Sequence, residues 1–406
     1  MGSLKLLAWP RASMVIRTGI FSGFRCGRVS RATVVRCMSE ESSSKKSLVF
    51  LGTPDVAADV LDGLLEASQD KSSLFEARPE GSQYTDRDSV QVAAVITQPP
   101  KARARGRKLL PSAVEQRALD KGFPADRIFS PRKAGEELFL EEFRNLKPDL
   151  CVTAAYGNIL PIKFLSIPPC GTVNVHPSLL PLYRGAAPVQ RAVQDGVKVT
   201  GVSIAYTVRA LDAGPIIVAE KHEVDPNIKA PELLRTLFKK GSALLLQEMP
   251  YILDGTAKEK AREQDHTKAT IAAKVSVEES WLSFDQPAEI LHNKVRAFAE
   301  WPGTRARFLL SSSSGETQSI ELKIVTTRVK SRSDVEGLPS GGEVSVSGDA
   351  LVVPCGSEGS DRSYLEILQL QPPSKKVMSA RDFCNGLRGQ KLLIDPKGAT
   401  LLSAAA

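Results

Sequence analysis

The residues best placed for acid–base chemistry lie in one stretch, residues 171–214. His176 follows an apolar, β-branched run and precedes a turn rich in proline, and Asn174 stands two positions before it. Side chains two positions apart on a strand point to the same face, so Asn174 and His176 are expected to act together. Open α/β sheets bind ligands at such strand ends. There an imidazole can exchange a proton and an amide can hold a carbonyl oxygen.

A second turn, later in the same stretch, carries an acidic residue. Asp212 begins an Asp-Ala-Gly-Pro turn, 36 positions after His176. That spacing can return the chain beside its starting strand, which predicts that Asp212 lies near His176. A carboxylate there would orient the ring and favour its cation. Taken singly, an Asn-x-His after a strand or an Asp before Ala-Gly-Pro is more often an ordinary turn residue than a catalytic one.

The whole string is more specific than its parts. NVHPSLLPLYRGAAPVQRAV, which starts at Asn174, is followed by TGVSIAYTVRALDAGPII. Together they resemble the folate-dependent formyltransferases, and the methionyl-tRNA formyltransferases in particular. The resemblance extends over about residues 47–389. It implies that Asn174, His176 and Asp212 form the catalytic set, with the first two stabilising an oxyanion on a formyl group and Asp212 holding the imidazole or passing protons through water.

The resemblance also implies the substrates. The formyl donor would be 10-formyltetrahydrofolate, and the acceptor would be charged initiator methionyl-tRNA. The Ser-Leu-Leu-Pro segment and an Ala-Tyr-Gly turn would hold the folate. Taken by itself, that turn is equally compatible with a core strand that ends in a tight turn. The implied folate contacts are Ser178, Leu179, Leu180, Pro181, Tyr156 and Gly157.

A basic stretch follows the second predicted strand. Residues 98–108 carry five lysines and arginines around one glycine. Such a run is usually a solvated face, but a basic loop can also grip phosphates. The family has a basic loop here that reaches the tRNA acceptor stem, which implies tRNA contacts from Arg105, Arg107 and Lys108. Arg107 replaces the family's first lysine, and Pro100 stands where aspartate is usual.

The pattern of apolar segments predicts an α/β fold with a Rossmann-like, mostly parallel sheet. The chain opens with a strand at 47–51, a turn at 52–55 and a helix at 56–67. No G-x-G-x-x-G follows the first strand, so dinucleotide binding is unsupported. Further strands are predicted at 90–97, 149–157 (ending at a glycine turn), 171–176, 201–208 and 215–224, and helices at 186–194 and 231–249.

The second half of the chain resembles the family's C-terminal module, a smaller β-rich barrel of the OB type. Barrels of this type commonly bind oligonucleotides. The predicted organisation is an organelle transit peptide at 1–44, a formyltransferase catalytic domain at 45–253, a linker at 254–274, an OB-like tRNA-binding domain at 275–393 and a tail at 394–406.

The first segment explains most of the net charge. Residues 1–38 carry Lys5, six arginines and no acid. Without them, 47 basic residues face 46 acidic ones, so the stated charge of +8 says little about partners. An arginine-rich, acid-free start is typical of a transit peptide, although a disordered basic tail has the same composition. The arginine density favours the mitochondrion, with the plastid as the alternative.

Other features narrow the functional classes. Six cysteines follow no zinc or disulfide spacing, so no metal is predicted. No apolar run is long enough to span a membrane, and a monomer is expected. Two alternatives stay open: a folate-dependent formyltransferase or hydrolase with another acceptor (a purine-pathway amine, an amino sugar nucleotide or water), and a non-catalytic RNA-binding protein on the same scaffold. The basic loop and the second domain favour tRNA.

Overall fold

The structure, a computed structural model, describes residues 45–69, 90–102, 109–330, 342–356 and 362–396. The predicted transit peptide, most of the predicted tail and residues 70–89 therefore lie outside the described residues.

The first part of the chain alternates strands and helices, as the sequence predicts. Its elements, in chain order, are β1 (Lys46–Gly52), α1 (Asp55–Gln69), β2 (Val90–Ile96), β3 (Lys101–Ala102), β4 (Leu109–Leu110), α2 (Ala113–Asp120), β5 (Ile128–Phe129), α3 (Glu137–Asn145), β6 (Leu150–Ala154), α4 (Ile162–Leu165), β7 (Thr172–His176), β8 (Arg184–Gly185), α5 (Pro188–Gln194), β9 (Val199–Tyr206), β10 (Ile216–Glu223), α6 (Ala230–Asp254), α7 (Thr256–Lys260) and β11 (Ile271–Ala272).

Seven of these strands form one sheet in the order β10-β9-β7-β6-β1-β2-β5. The five strands from β7 to β5 run parallel, and β9 and β10 extend the sheet antiparallel beside β7. Continuous apolar runs such as Leu48–Leu51 are wholly buried because helices cover both faces of a parallel sheet. The predicted α/β, mostly parallel fold is confirmed.

Helices cover the sheet on both sides. One face packs against α1 and α6, through residues such as Leu61 and Leu245. The other face packs against α3 and α4, where the rings of Phe143 and Phe164 stack with centroids 4.3 Å apart. These layers leave the carboxyl ends of β1, β2, β6 and β7 at one edge of the sheet, since parallel strands all end on the same side.

The second part of the chain forms an antiparallel barrel. Its elements are α8 (Ala288–Ala297), β12 (Thr304–Ser311), β13 (Thr317–Lys330), β14 (Ser345–Ser347), β15 (Ala350–Cys355), β16 (Ser363–Gln371), β17 (Met378–Ser379), α9 (Ala380–Gly386) and β18 (Lys391–Ile394).

The barrel strands follow the order β14-β15-β16-β13-β12-β18, with β17 beside β16. The two ends of this sheet meet: Ile394 donates its N–H to Gly342 O at 2.8 Å, and Val344 donates to Leu392 O at 3.0 Å. The sheet is thus nearly closed, as the predicted OB-type barrel requires. Helix α8 joins the barrel to the first domain through an apolar cluster with α5 and α6 that includes Phe298. None of the described helices is long and apolar enough to cross a membrane.

Candidate active site

His176 is the last residue of β7 and is almost completely buried, with 4% of its surface exposed. Its Nε2 lies 2.9 Å from the carbonyl oxygen of Tyr183. A carbonyl oxygen only accepts hydrogen bonds, so Nε2 carries the proton. In the neutral ring Nδ1 is then the unprotonated nitrogen, which makes it the atom that can take up or return a proton.

Asn174 lies two residues earlier on β7, and the Thr153 hydroxyl from β6 orients its amide. Thr153 donates to Asn174 Oδ1 at 2.7 Å, and the two residues are register partners in the sheet. With its oxygen engaged, the NH₂ group of Asn174 has no protein acceptor among the described residues. It is therefore available to donate a hydrogen bond at the carboxyl edge of the sheet.

Asp212 lies beside the imidazole, as its spacing predicts. Its Oδ2 is 3.8 Å from His176 Nδ1 and accepts the backbone N–H of Gly185 at 2.8 Å. The distance of 3.8 Å is too long for a direct hydrogen bond. Asp212 thus acts on the ring through its charge, and its carboxylate is anchored by the Gly185 amide rather than by the histidine.

Two glycines allow this approach because a side chain would collide with backbone. Gly185 has φ 123°, and a Cβ there would lie 2.8 Å from Ala272 O. A Cβ on Gly214 would lie 1.9 Å from Tyr206 O. The turn that carries Asp212 therefore packs directly on the end of β9.

The Ser-Leu-Leu-Pro segment forms a tight turn immediately after His176. Ser178 is fully buried and donates its hydroxyl to Leu182 O at 2.6 Å. Ser203 of β9 fastens the same turn, because its Oγ donates to Ser178 O at 2.8 Å and accepts the Leu180 N–H at 3.1 Å. Leu180 is buried as well, so Leu179 and Pro181 are the half-buried members of this segment.

The Ala-Tyr-Gly turn follows β6 at the same edge. Gly157 has φ 82°, and the carbonyl of Tyr156 accepts the Thr53 hydroxyl at 2.8 Å. The Tyr156 side chain packs into the core with Leu51 and Phe164. Burial raises the pKa of its phenol. Any ligand contact from this turn would therefore come from its backbone, and the assignment of Tyr156 and Gly157 to folate stays a prediction.

The segment predicted as a linker supports the site. Thr270 accepts the Tyr183 N–H on its hydroxyl at 2.8 Å and the Arg184 N–H on its carbonyl at 2.9 Å. Strand β11 pairs in parallel with β8. Gln264, 5% exposed, contacts both Arg184 and the Asp212 turn.

Sequence reasoning missed Thr270, Gln264 and Ser203. The two linker residues lie in a charged run without apolar periodicity, and Ser203 lies inside an apolar strand, so only a family alignment could have marked them.

Tyr183 is the other residue that sequence analysis left without a role. Its backbone has φ 57°, a left-handed conformation that turns its carbonyl toward His176. Its phenol donates to Asp195 Oδ2 at 2.8 Å. Burial and the Asp195 carboxylate raise the pKa of Tyr183, so the phenol keeps its proton and the loop keeps this tie.

The predicted tRNA contacts Arg105, Arg107 and Lys108 lie outside the described residues. Within the described ranges, no group of three or more histidine, cysteine, aspartate or glutamate side chains could hold a metal ion. The polar groups that the described residues bring together at the site are an amide NH₂, an imidazole and a carboxylate. This set suits proton transfer and hydrogen bonding at a carbonyl carbon.

Two family models match the chain. The model described as formyl transferase matches residues 51–249, and the model described as formyl transferase, C-terminal domain, matches residues 274–388. The first range carries the predicted site, and the second carries the barrel.

Relatives align over most of the chain. The methionyl-tRNA formyltransferase of Bacillus licheniformis is 34% identical over 339 residues, 84% of this chain and 94% of that protein. That of Moorella thermoacetica is 35% identical over 84% of this chain and 96% of that protein. That of Streptomyces griseus is 36% identical over 84% of this chain and 96% of that protein.

Solved structures share the fold. A sugar 3N-formyl transferase, solved in the presence of dTDP and 5-N-formyl-THF, matches with a TM-score of 0.51 at 15% identity, over 82% of this chain and 99% of that chain. An N-formyltransferase from Helicobacter canadensis, in complex with folinic acid and dTDP-3-aminofucose, matches with a TM-score of 0.51 at 16% identity, over 81% of this chain and 100% of that chain.

Proposed function

The chain belongs to the methionyl-tRNA formyltransferase family, and from that premise we propose that it transfers the formyl group of 10-formyltetrahydrofolate to the α-amino group of charged initiator methionyl-tRNA. The observation that carries the proposal is the meeting of Asn174, His176 and Asp212 at the carboxyl edge of the sheet. The family relation supports the acceptor, and the geometry supports formyl transfer.

The residues of the site fit a formyl donor. When bound, 10-formyltetrahydrofolate supplies a formyl carbon on a nitrogen leaving group. Asn174 presents an NH₂ group with its amide oxygen already engaged by Thr153. His176 presents Nδ1 with Nε2 already engaged by Tyr183. The Asn174 NH₂ and, once it is protonated, His176 Nδ1 are two donors on one face of β7, which is the complement that a carbonyl oxygen requires.

Asn174 and His176 stabilise the charge that develops on the formyl oxygen as the amine attacks. The Asn174 NH₂ donates one hydrogen bond, and His176 with Nδ1 protonated donates another. Both groups are fixed before the reaction, on a central strand, so little reorganisation is needed in the transition state. Removing one such donor typically costs about 2.7–4 kcal/mol of transition-state stabilisation.

Asp212 stabilises the positive ring and accepts protons. Its carboxylate, 3.8 Å from Nδ1, is close enough for a favourable Coulombic interaction with an imidazolium. The attacking amine loses one proton and the leaving nitrogen gains one. Nδ1 and the Asp212 carboxylate are the groups on this chain that can exchange these protons near the formyl carbon.

The tRNA is proposed to lie across the basic loop and the barrel. Arg105, Arg107 and Lys108 would contact the phosphates of the acceptor stem, and the barrel at 275–393 would bind the tRNA body. We propose a monomer, because Asn174, His176 and Asp212 meet without a residue from a second copy.

We further propose that the activity serves the initiation of translation in an organelle, the mitochondrion in preference to the plastid. The support is the acid-free segment at residues 1–38, with seven basic residues. The full chain with a C-terminal fluorescent protein should localise to mitochondria, and a version that lacks residues 2–44 should not. Plastid fluorescence would select the alternative, and unchanged localisation after the deletion would refute the transit peptide.

The acceptor is tested by offering the purified protein 10-formyltetrahydrofolate with one acceptor at a time. The acceptors are charged initiator methionyl-tRNA, charged elongator methionyl-tRNA, glycinamide ribonucleotide, a dTDP-amino sugar and water. Mass spectrometry identifies the product. Formylmethionyl-tRNA as the dominant product is expected. Faster turnover with another acceptor would overturn the tRNA assignment, and tRNA binding without any turnover would indicate a non-catalytic RNA-binding protein.

A further inference from the structure

Gln264 lies in the segment after α7, yet its side chain reaches the centre of the site. It is 5% exposed, and its amide uses its full hydrogen-bonding capacity. Oε1 accepts from Arg184 Nε at 3.0 Å and from Arg184 Nη2 at 2.6 Å. Nε2 donates to Asp212 O at 2.9 Å and to Gly214 O at 2.6 Å. One amide therefore connects β8 with the turn that carries Asp212.

The Asp212 turn needs such a support. Asp212 has φ 46°, in the left-handed region, which aspartate adopts more often than most residues but still at a cost in energy. The two carbonyls that Gln264 holds flank the reversal of the chain, one at Asp212 and one at Gly214. Strain of this kind persists only where the surroundings over-determine the conformation.

The same contacts close a ring around the carboxylate. Asp212 Oδ2 accepts the Gly185 N–H at 2.8 Å. Gly185 follows Arg184, and Arg184 is bound to Gln264. Gln264 thus holds the Asp212 carboxylate in place by two routes. One runs through the backbone of the Asp212 turn, and the other runs through Arg184 and Gly185 of β8. A movement of Gln264 would change the 3.8 Å separation of Asp212 Oδ2 from His176 Nδ1.

We propose that Gln264 is a positioning residue that sets the place of the Asp212 carboxylate against His176 through the two carbonyls of the turn. The proposal rests on the proposed formyl transfer at this site. It does not depend on which amine is the acceptor.

Two variants remove the contacts of the Gln264 amide, one of them only those of its NH₂ group. Gln264→Glu keeps an oxygen for Arg184 but replaces the donor that binds Asp212 O and Gly214 O. Gln264→Met, of similar size, removes both sets of bonds. Both should lower kcat on the order of 10²-fold, the loss that a displacement of about 1 Å causes, while KM for folate and tRNA stays within about twofold. Gln194→Glu is the matched control, because Gln194 also accepts from an arginine, Arg191 Nη1 at 2.8 Å, but lies on α5 away from the Asp212 turn.

A double-mutant cycle tests the route of the effect. If Gln264 acts through Asp212, then adding Gln264→Glu to Asp212→Asn should lower kcat no further than Asp212→Asn does. Gln264→Glu at the wild-type rate, or a loss that multiplies fully onto that of Asp212→Asn, would overturn the proposal. If Gln264→Glu fails to fold, the cycle with Gln264→Met decides in the same way.

A readout without turnover separates this proposal from the proposed function. The amide proton of Gly185, bonded to Asp212 Oδ2, should shift upfield in the NMR spectrum of Gln264→Glu as that hydrogen bond lengthens. It should be unchanged in Gln194→Glu. An unchanged Gly185 amide in Gln264→Glu would refute the positioning role whatever the acceptor. A wild-type protein that does not formylate methionyl-tRNA would refute the proposed function alone.

Discussion

Asn174 and His176 lie on a central strand of the sheet, whereas Asp212 lies on a turn, and the contacts that hold the two halves span different distances along the chain. Tyr183, which binds His176 Nε2, is seven residues away. Gln264, which binds the backbone of Asp212, is 52 residues away. The strand half is therefore nearly complete within β6, β7 and the next turn, while the turn half depends on a segment beyond the last helix of the first domain.

The strand and the turn perform different tasks at the site. Groups that must not move during the reaction, such as the Asn174 NH₂, lie on a buried strand whose own ladder fixes them. The carboxylate that faces the ring lies on a turn whose position the later chain completes. The complete site therefore requires the packing of residues 262–272 against β8 and the Asp212 turn.

The largest loss is expected on the strand half. His176→Ala removes the imidazole that lies beside Asp212. Because this ring is proposed to donate a hydrogen bond to the oxyanion, kcat should fall on the order of 10²–10³-fold. Steady-state kinetics with saturating folate and tRNA measure this kcat. Substitution of His222, which is half-buried on the edge strand β10, by alanine is the control and should stay near the wild-type rate. Less than tenfold loss in His176→Ala would show that the strand half does not carry the chemistry.

A loss of stability is expected from the serine that anchors the turn after His176. Ser203→Ala leaves the Leu180 N–H and the Ser178 carbonyl without their buried partner. An unsatisfied buried group costs about 1–3 kcal/mol of unfolding free energy. Urea unfolding of Ser203→Ala against Ser312→Ala, whose hydroxyl is exposed in a hairpin loop, gives the difference. Equal unfolding midpoints would mean that the turn after His176 does not need this anchor.

A smaller loss of kcat is expected from the hydrogen bond that orients Asn174. Thr153→Val keeps the volume but removes the hydroxyl that donates to Asn174 Oδ1. One hydrogen bond of about 1 kcal/mol corresponds to a loss in kcat of about fivefold. Thr153→Ser should restore the rate, because it keeps the hydroxyl. If the serine and valine variants are equally slow, packing rather than the hydrogen bond orients Asn174.

The smallest expected effect is on the pH dependence of stability, and it comes from the junction between the barrel and the first domain. His292 on α8 accepts the Thr327 hydroxyl at Nδ1 and donates from Nε2 to Pro226 O. Burial, followed by the Arg296 charge, lowers its pKa below the ordinary value of 6.5. Below pH 6.5 His292 takes up a proton in the unfolded chain but stays neutral in the folded chain, which favours unfolding. The contribution of neutral His292 to the free energy of unfolding is therefore fully present above pH 6.5 and is lost as the pH falls toward the folded-state pKa.

His292→Gln can keep both hydrogen bonds but does not titrate. Between pH 7.5 and pH 5.5 its urea midpoint should fall less than that of the wild type. Equal falls would show that His292 does not charge differently in the folded and unfolded chains.

Much of the fold could be predicted from local patterns. The strand at 47–51, the helix after it and the strand that ends at His176 each bury apolar residues with a period that the sequence displays, and all three are confirmed. The helix predicted to end at 249 continues through Pro250 to Asp254, because Ile252 and Leu253 are buried against the sheet. Tertiary packing prolongs a helix where local propensity would end it.

The residue patterns were sufficient to predict the α/β class and the residue types that meet at the site, and the family resemblance implied the barrel that follows. The spacing of Asp212 from His176 was enough to predict their proximity, since the intervening strand β9 returns the chain beside β7. The folded structure was needed to establish which imidazole nitrogen is free, because a backbone carbonyl in a left-handed turn holds the other. It alone decided the role of Gln264 as well: hydrogen bonds between distant segments follow from packing, and a glutamine in a charged run carries no local signal of its partners.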